Sequence, residues 1–135
     1  DALAHHGIAL NNDLIVKGKW TPACGAAGVD TLLSRNVNFT ALVASNDDMA
    51  IGAMKQLHEQ GVSVPAQVSV IGFDDIALAP YTIPALSSVK IPVTEMIQET
   101  IGRLIFMLGD GAFTPPKTFT GELIQRDSVA PPASR

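Results

Sequence analysis

Two short apolar runs, Ala41 to Ala44 and Val68 to Phe73, each stop abruptly at polar side chains: Ser45-Asn46-Asp47-Asp48 after the first and Asp74-Asp75 after the second. One helix-length segment lies between them. A strand, a helix and a second strand joined this way form a right-handed βαβ unit with parallel strands, so both polar clusters are predicted along the same carboxyl edge of one sheet. That edge is where open α/β sheets hold ligands. The prediction is an α/β fold, a parallel sheet flanked by helices, with a candidate binding edge.

With 135 residues, 47% hydrophobic and 16% charged, the chain suffices for one packed domain. No apolar stretch reaches the roughly 18 residues that a membrane helix needs, and no basic-then-apolar leader opens the chain, so no membrane partner is expected. The sequence begins at Asp1, inside what reads as a helix end (Ala2, Leu3 and Ala4 before Gly7), and is expected to be a piece of a longer protein. A net charge of −4 with 9 Lys plus Arg argues against a nucleic-acid surface in these residues, since Lys17 and Lys19 cannot make a basic face. Cys24 stands alone, which excludes an intrachain disulfide and fits a reducing compartment. His5, His6 and His58 lack partner cysteines or an HExxH spacing, so neither a metal nor a cofactor is expected.

Asp13 to Val16 reads as a short β-favouring run, and Thr21-Pro22 as the start of a helix running to Arg35. Asn46 or Asp47 caps the next helix, from about Asp48 to Gln60, with Gly61 as its left-handed stop. Pro80, Pro84 and Pro92 leave room only for an extended piece near Ser88 to Lys90. The longest helical pattern runs from Val93 to Leu108, and a last strand falls between Thr118 and Gln125, followed by a tail with Pro131 and Pro132 that is expected to fray. In the central helix Met49, Ala50, Ala53 and Leu57 share the core stripe, whereas Ile51 and Met54 point away from its centre. Either the stripe is wide, or a subunit interface covers those two side chains.

Asn46 and Asp74 combine a carboxamide with a carboxylate, donors and acceptors suited to the vicinal hydroxyls of a sugar. The competing roles are a plain helix cap for Asn46 and a turn for Asp74 and Asp75. Asp47 and Asp48 belong to the first helical turn, where negative charge complements the helix dipole. Trp20, the one tryptophan, precedes a helix start, where its ring can stack on a sugar face or be half-buried in a core. There is no GxSxG elbow, phosphate loop, GxGxxG or paired-carboxylate arrangement, so the chain is not expected to be an enzyme.

The segments ALVASNDDMAIGAM, GVSVPAQVSVIGFDD and IPALSSVKIPVTEM, in this order and spacing, resemble the carboxyl-terminal part of a LacI/GalR-family transcriptional regulator, over about Asp1 to Val129. The resemblance implies a type I periplasmic-binding-protein-like fold, two α/β subdomains closing on a small effector. It also implies an amino-terminal helix-turn-helix, outside this chain, for operator DNA, and a cytoplasmic homodimer. By the family's motifs Asn46, Asp74 and Trp20 would touch the effector, and Ile51, Met54 and Tyr81 would form a dimer contact. The likeness of GKWTPACGAAGVDTLL and IGRLIFML to members that answer β-glucosides implies an effector of that type. Residues 1–90 and 118–127 would form the carboxyl-terminal subdomain. The helix within 91–111 would belong to the amino-terminal subdomain, or failing that pack on a second copy. The arginine that the family places upstream, ahead of a glycine and an aromatic, falls before Asp1. The alternatives are a periplasmic sugar-binding protein of a transport system, which shares the fold, and an α/β enzyme.

Overall fold

Two side chains set where the main helices begin. Thr21, in extended conformation, accepts a hydrogen bond from the Cys24 N–H through its hydroxyl, and Pro22 follows in the first turn of α2 (Pro22–Ser34). Asn46, also extended, accepts from the Met49 N–H at 3.0 Å through its side-chain oxygen and starts α3 (Asp47–Glu59). Each satisfies one of the amides that a helix start leaves open, worth about 1 kcal/mol. Past the end of α3, Gly61 takes φ +74°, and the Val62 N–H returns to the Leu57 carbonyl at 2.8 Å. A side chain at Gly61 would be strained there.

The computed structural model describes residues 2–109, 111–112 and 115–132. Asp1, Asp110, Phe113 and Thr114, which fall inside spans read from the sequence, lie outside the described residues. The remaining elements are α1 (Ala2–His5), β1 (Ala41–Val43), β2 (Ser69–Asp74), β3 (Ser87–Lys90), α4 (Val93–Leu108) and β4 (Glu122–Ile124), with single 3-10 turns at Asn12–Leu14 and Ala79–Tyr81. The sheet order is β1-β2-β3-β4. β1 and β2 are parallel, with Val43 opposite Ile71, and β2 and β3 are parallel, with Phe73 opposite Val89. β4 runs antiparallel to β3, so the sheet is mixed rather than wholly parallel.

Helix α3 is wedged between the sheet and α2. Its Ala50, Ala53, Met54 and Leu57 join Val29, Val68, Val70 and Leu86 in the buried core. Its other flank meets α2 so closely that a Cβ at Gly25 would overlap the Met49 carbonyl and one at Gly52 the Pro22 carbonyl. Two glycines therefore set the separation of the helices. Because α3 has neighbours on two sides, its apolar stripe is wide, and Met54, expected away from the core, is 6% exposed inside it. Ile51 is half-buried and packs against the same cluster.

Two further expectations are corrected. Asp13 to Val16 is not a strand: Asn11 bonds the Asp13 N–H at 2.9 Å and turns the chain into the 3-10 turn, after which Arg35 holds the Asp13 and Ile15 carbonyls. The segment after β4 is tied in rather than frayed up to Ala130. Ser128 is fully buried, donating to the Val70 carbonyl at 2.6 Å and accepting from the Ser87 N–H at 2.8 Å, while Ala130 and Ser69 bond each other. Helix α4 occupies the predicted residues but buries none of them, and Ile97, Ile101, Leu104, Ile105 and Leu108 are exposed. No helix among the described residues is long and apolar enough to cross a membrane.

Candidate functional site

Parallel pairing puts the carboxyl ends of β1 and β2 on one edge, and the two polar clusters leave the sheet there. Asn46 follows β1 and is nearly buried, its oxygen held by the Met49 N–H. No hydrogen bond to its side-chain NH2 is made by the described residues, which leaves that donor for a ligand. Asp74 closes β2 half-buried, with φ +108°, and Asp75 follows at φ +55°. Two consecutive non-glycine residues in the left-handed half of the map are strained, of order 1–3 kcal/mol each. Burial, and then the nearby carboxylates of Asp47 and Asp48, push the Asp74 carboxyl above its ordinary range. A carboxylate crowded in this way gains from hydroxyl donors that a ligand could bring.

Asp47 has a larger part than a helix start. It is fully buried, yet accepts from the Ser88 hydroxyl at 2.6 Å and from the Ile76 N–H at 2.8 Å. Gly72 makes the space: a Cβ there would overlap the Asp47 carboxylate. The sequence gives Asp47 only helix-start roles, as a cap or a first-turn charge, and the signal of a larger part is a glycine inside a strand, which marks a close approach. Asp75 is paired too, its Oδ1 accepting from Arg126 Nη2 at 2.7 Å.

Trp20 is 72% exposed immediately before α2, so it is not a core tryptophan. Contacts of Pro22 with Gly52 and of Gly25 with Met49 align the starts of α2 and α3 at the same end, the end that carries Asn46. Tyr81 is 79% exposed at the 3-10 turn after β2, with Leu78 and Ile83 exposed beside it in the chain. An apolar cavity lies elsewhere. It encloses about 400 Å³ along the open edge of β1, between Ile8 to Val16 and α2, and is lined mainly by apolar groups such as Leu10, Leu32 and Phe39. A sugar requires several polar partners, so this groove fits it poorly.

A mixed α/β sheet with convergent polar groups at its carboxyl edge defines a ligand-binding domain. Residues 1–129 match the family model for a periplasmic binding protein-like domain. The chain is 76% identical over 133 residues to the HTH-type transcriptional regulator AscG of Escherichia coli strain K12, covering 98% of this chain and 40% of that protein. The crystal structure of the E. coli repressor ascG superposes with a TM-score of 0.85 at 77% identity, over 96% of this chain and 47% of that one. The E. coli regulator GalR is 38% identical, over 98% of this chain and 39% of its own length, and a CelR–cellobiose complex has a TM-score of 0.88 at 29% identity, over 94% and 39%. The chain belongs to the periplasmic binding protein-like family, within its LacI/GalR branch of transcriptional regulators, and forms part of an effector-binding domain. It spans about two fifths of the length of the curated relatives it matches. Those relatives are transcriptional regulators, which gives the transport-receptor alternative no support.

Proposed function

We propose that this chain supplies one wall of the effector cleft of a cytoplasmic, sugar-responsive repressor, and that the effector is a β-glucoside. The observation that carries the reading is the pairing of Asn46 and Asp74 at the ends of adjacent parallel strands, with a free carboxamide donor beside a carboxylate. Asn46 donates to one sugar hydroxyl, Asp74 accepts from others, and Trp20 stacks on a sugar face. The relationship to AscG and the cellobiose held by CelR support the effector class. The reading is of a binding protein, in keeping with the transcriptional regulators that the chain is similar to.

In this account operator DNA is bound by an amino-terminal domain outside the chain, and α4 docks on an amino-terminal subdomain, which would cover its exposed Ile101, Leu104 and Ile105. Effector binding closes the cleft and shifts a two-state equilibrium toward the form with low operator affinity, by as much as its affinity for the two forms differs. A thermal-shift screen of the full gene product against salicin, cellobiose, galactosides and phosphorylated sugars tests the effector class. At a hundred times its Kd a true effector stabilises by about 2.7 kcal/mol. A response to galactosides with none to β-glucosides would refute the class.

The homodimer is formed through Ile51 and Tyr81, with Met54 supporting Ile51 from within the core. The support is apolar exposure: Ile83, two residues beyond Tyr81, is 98% exposed. Tyr81→Glu in the full gene product should convert a dimer to a monomer in sedimentation velocity while leaving the far-ultraviolet spectrum intact. A dimer that persists at low micromolar concentration would move the interface elsewhere.

A further inference from the structure

The two proposed effector contacts sit on different elements, Asn46 ahead of α3 and Asp74 at the end of β2, and something must fix the distance between them. The turn that presents Asp74 is the less stable partner, because Asp74 and Asp75 both have positive φ. Such a conformation persists only where its surroundings hold it. Three elements reach under this turn. From the start of α3, Asp47 takes the Ile76 N–H at 2.8 Å. From β3, Ser88 accepts from the Asp75 N–H at 3.1 Å and donates to Asp47 at 2.6 Å, joining the two amides of the turn to one carboxylate. From the segment after β4, Arg126 grips the Asp75 carboxylate at 2.7 Å while its other guanidinium nitrogen donates to the Leu86 carbonyl at 2.7 Å.

Asp47 is the residue next to Asn46 in the chain and is bonded to the residue two beyond Asp74, so it spans the gap between the two contacts. We propose that Asp47, Ser88 and the Asp75–Arg126 pair are positioning residues, a strut beneath the binding edge that holds Asp74 at a fixed spacing from Asn46. They touch no effector themselves. Gly72 belongs to the same device, since any larger residue would push Asp47 out of line. The strut rests on the effector reading for its purpose, but its mechanical claim stands on these bonds alone.

Amide hydrogen exchange on the full gene product tests the mechanical claim without any ligand. Ser88→Ala and Arg126→Met are each expected to speed exchange at Asp75 and Ile76 by about tenfold or more, with Val70 and Ile71 unchanged. Arg126 lies nearer the surface than Ser88, so its variant keeps the test open if Ser88→Ala does not fold. Exchange that is unaltered, or that rises equally along β2, overturns the proposal. A titration with salicin then reads the consequence: each variant should bind about tenfold more weakly, yet add nothing to the defect of Asp74→Ala, because the strut acts through that carboxylate. Full additivity on Asp74→Ala would also overturn it. Salicin affinity unchanged in Asp74→Ala would instead refute the effector role of Asp74 and leave the exchange result standing.

Discussion

Replacing Asp74 by Ala in the full gene product is expected to weaken salicin binding by at least about 100-fold. Hydrogen bonds to a charged group are each worth about 1.5–3 kcal/mol, and a carboxylate placed between two sugar hydroxyls makes two of them. Asn46→Ala should cost about tenfold, because it removes a single neutral donor, and should also lower stability by about 1 kcal/mol through loss of the α3 cap. The two variants thus share a binding defect and part company in stability. Burial and the Asp47 and Asp48 carboxylates raise the Asp74 carboxyl above its ordinary value of 3.8, so the folded protein holds that proton more tightly than the unfolded chain. The stability this gives is complete below the ordinary value and is lost as pH rises through the folded one. Asp74→Asn, which cannot ionise, should therefore be more stable than the natural protein at neutral pH, with the margin shrinking as pH falls toward 3.8. Urea titrations at several pH values read this directly. A variant that binds sugar worse and resists urea better is the mark of a residue kept for function. A neutral-pH loss of stability in Asp74→Asn would give the carboxylate a structural role instead.

Gly52→Ala is expected to be the most damaging single-methyl change in the fold, lowering stability by about 3 kcal/mol. The added Cβ would meet the backbone of Pro22, and backbone cannot swing aside as a flexible side chain can. Overfilled cores usually cost about 1–3 kcal/mol, and a Cβ driven into backbone belongs at the upper end. Gly25→Ala should behave alike against Met49, whereas Gly102→Ala on exposed α4 meets nothing and should be neutral or slightly stabilising. Chemical denaturation of the three variants measures the contrast. Equal midpoints for Gly52→Ala and Gly102→Ala would mean that the α2–α3 approach is looser than described.

The main helices and the first strand–helix–strand unit were legible because their signals are local: Thr21 and Asn46 at helix starts, Gly61 at a stop, and apolar runs closed by polar clusters. What escaped depends on neighbours that are distant in sequence. The run at Asp13 to Val16 has strand composition, but composition makes a strand only when another strand lies beside it, and Asn11 offers a competing turn. Periodicity leaves Met54 open between a wide stripe and an interface because it does not count a helix's neighbours; α3 has the sheet on one flank and α2 on the other, and the wide stripe holds. Asp47 was read as a helix-start charge since nothing in its own segment reveals Ser88, 41 residues later, as its partner. Gly72 within a strand and Ser87-Ser88 at buried sheet positions were the available hints, a gap and polar groups that need filling and satisfying. Topology alone places Asn46 and Asp74 at neighbouring strand ends, whereas the hydrogen bonds of Asp47, Ser88 and Arg126 beneath them join segments distant in sequence.

The proposed effector, a sugar, lies on the carboxyl edge formed by β1 and β2. A crystal structure of the full gene product grown with salicin is the decisive test. Glucose hydroxyls are expected within about 2.7–3.2 Å of the Asp74 carboxylate and the Asn46 carboxamide, with the Trp20 ring over a sugar face. A glucoside bound in the apolar groove along the open edge of β1, with Asn46 and Asp74 facing only water, would contradict this placement.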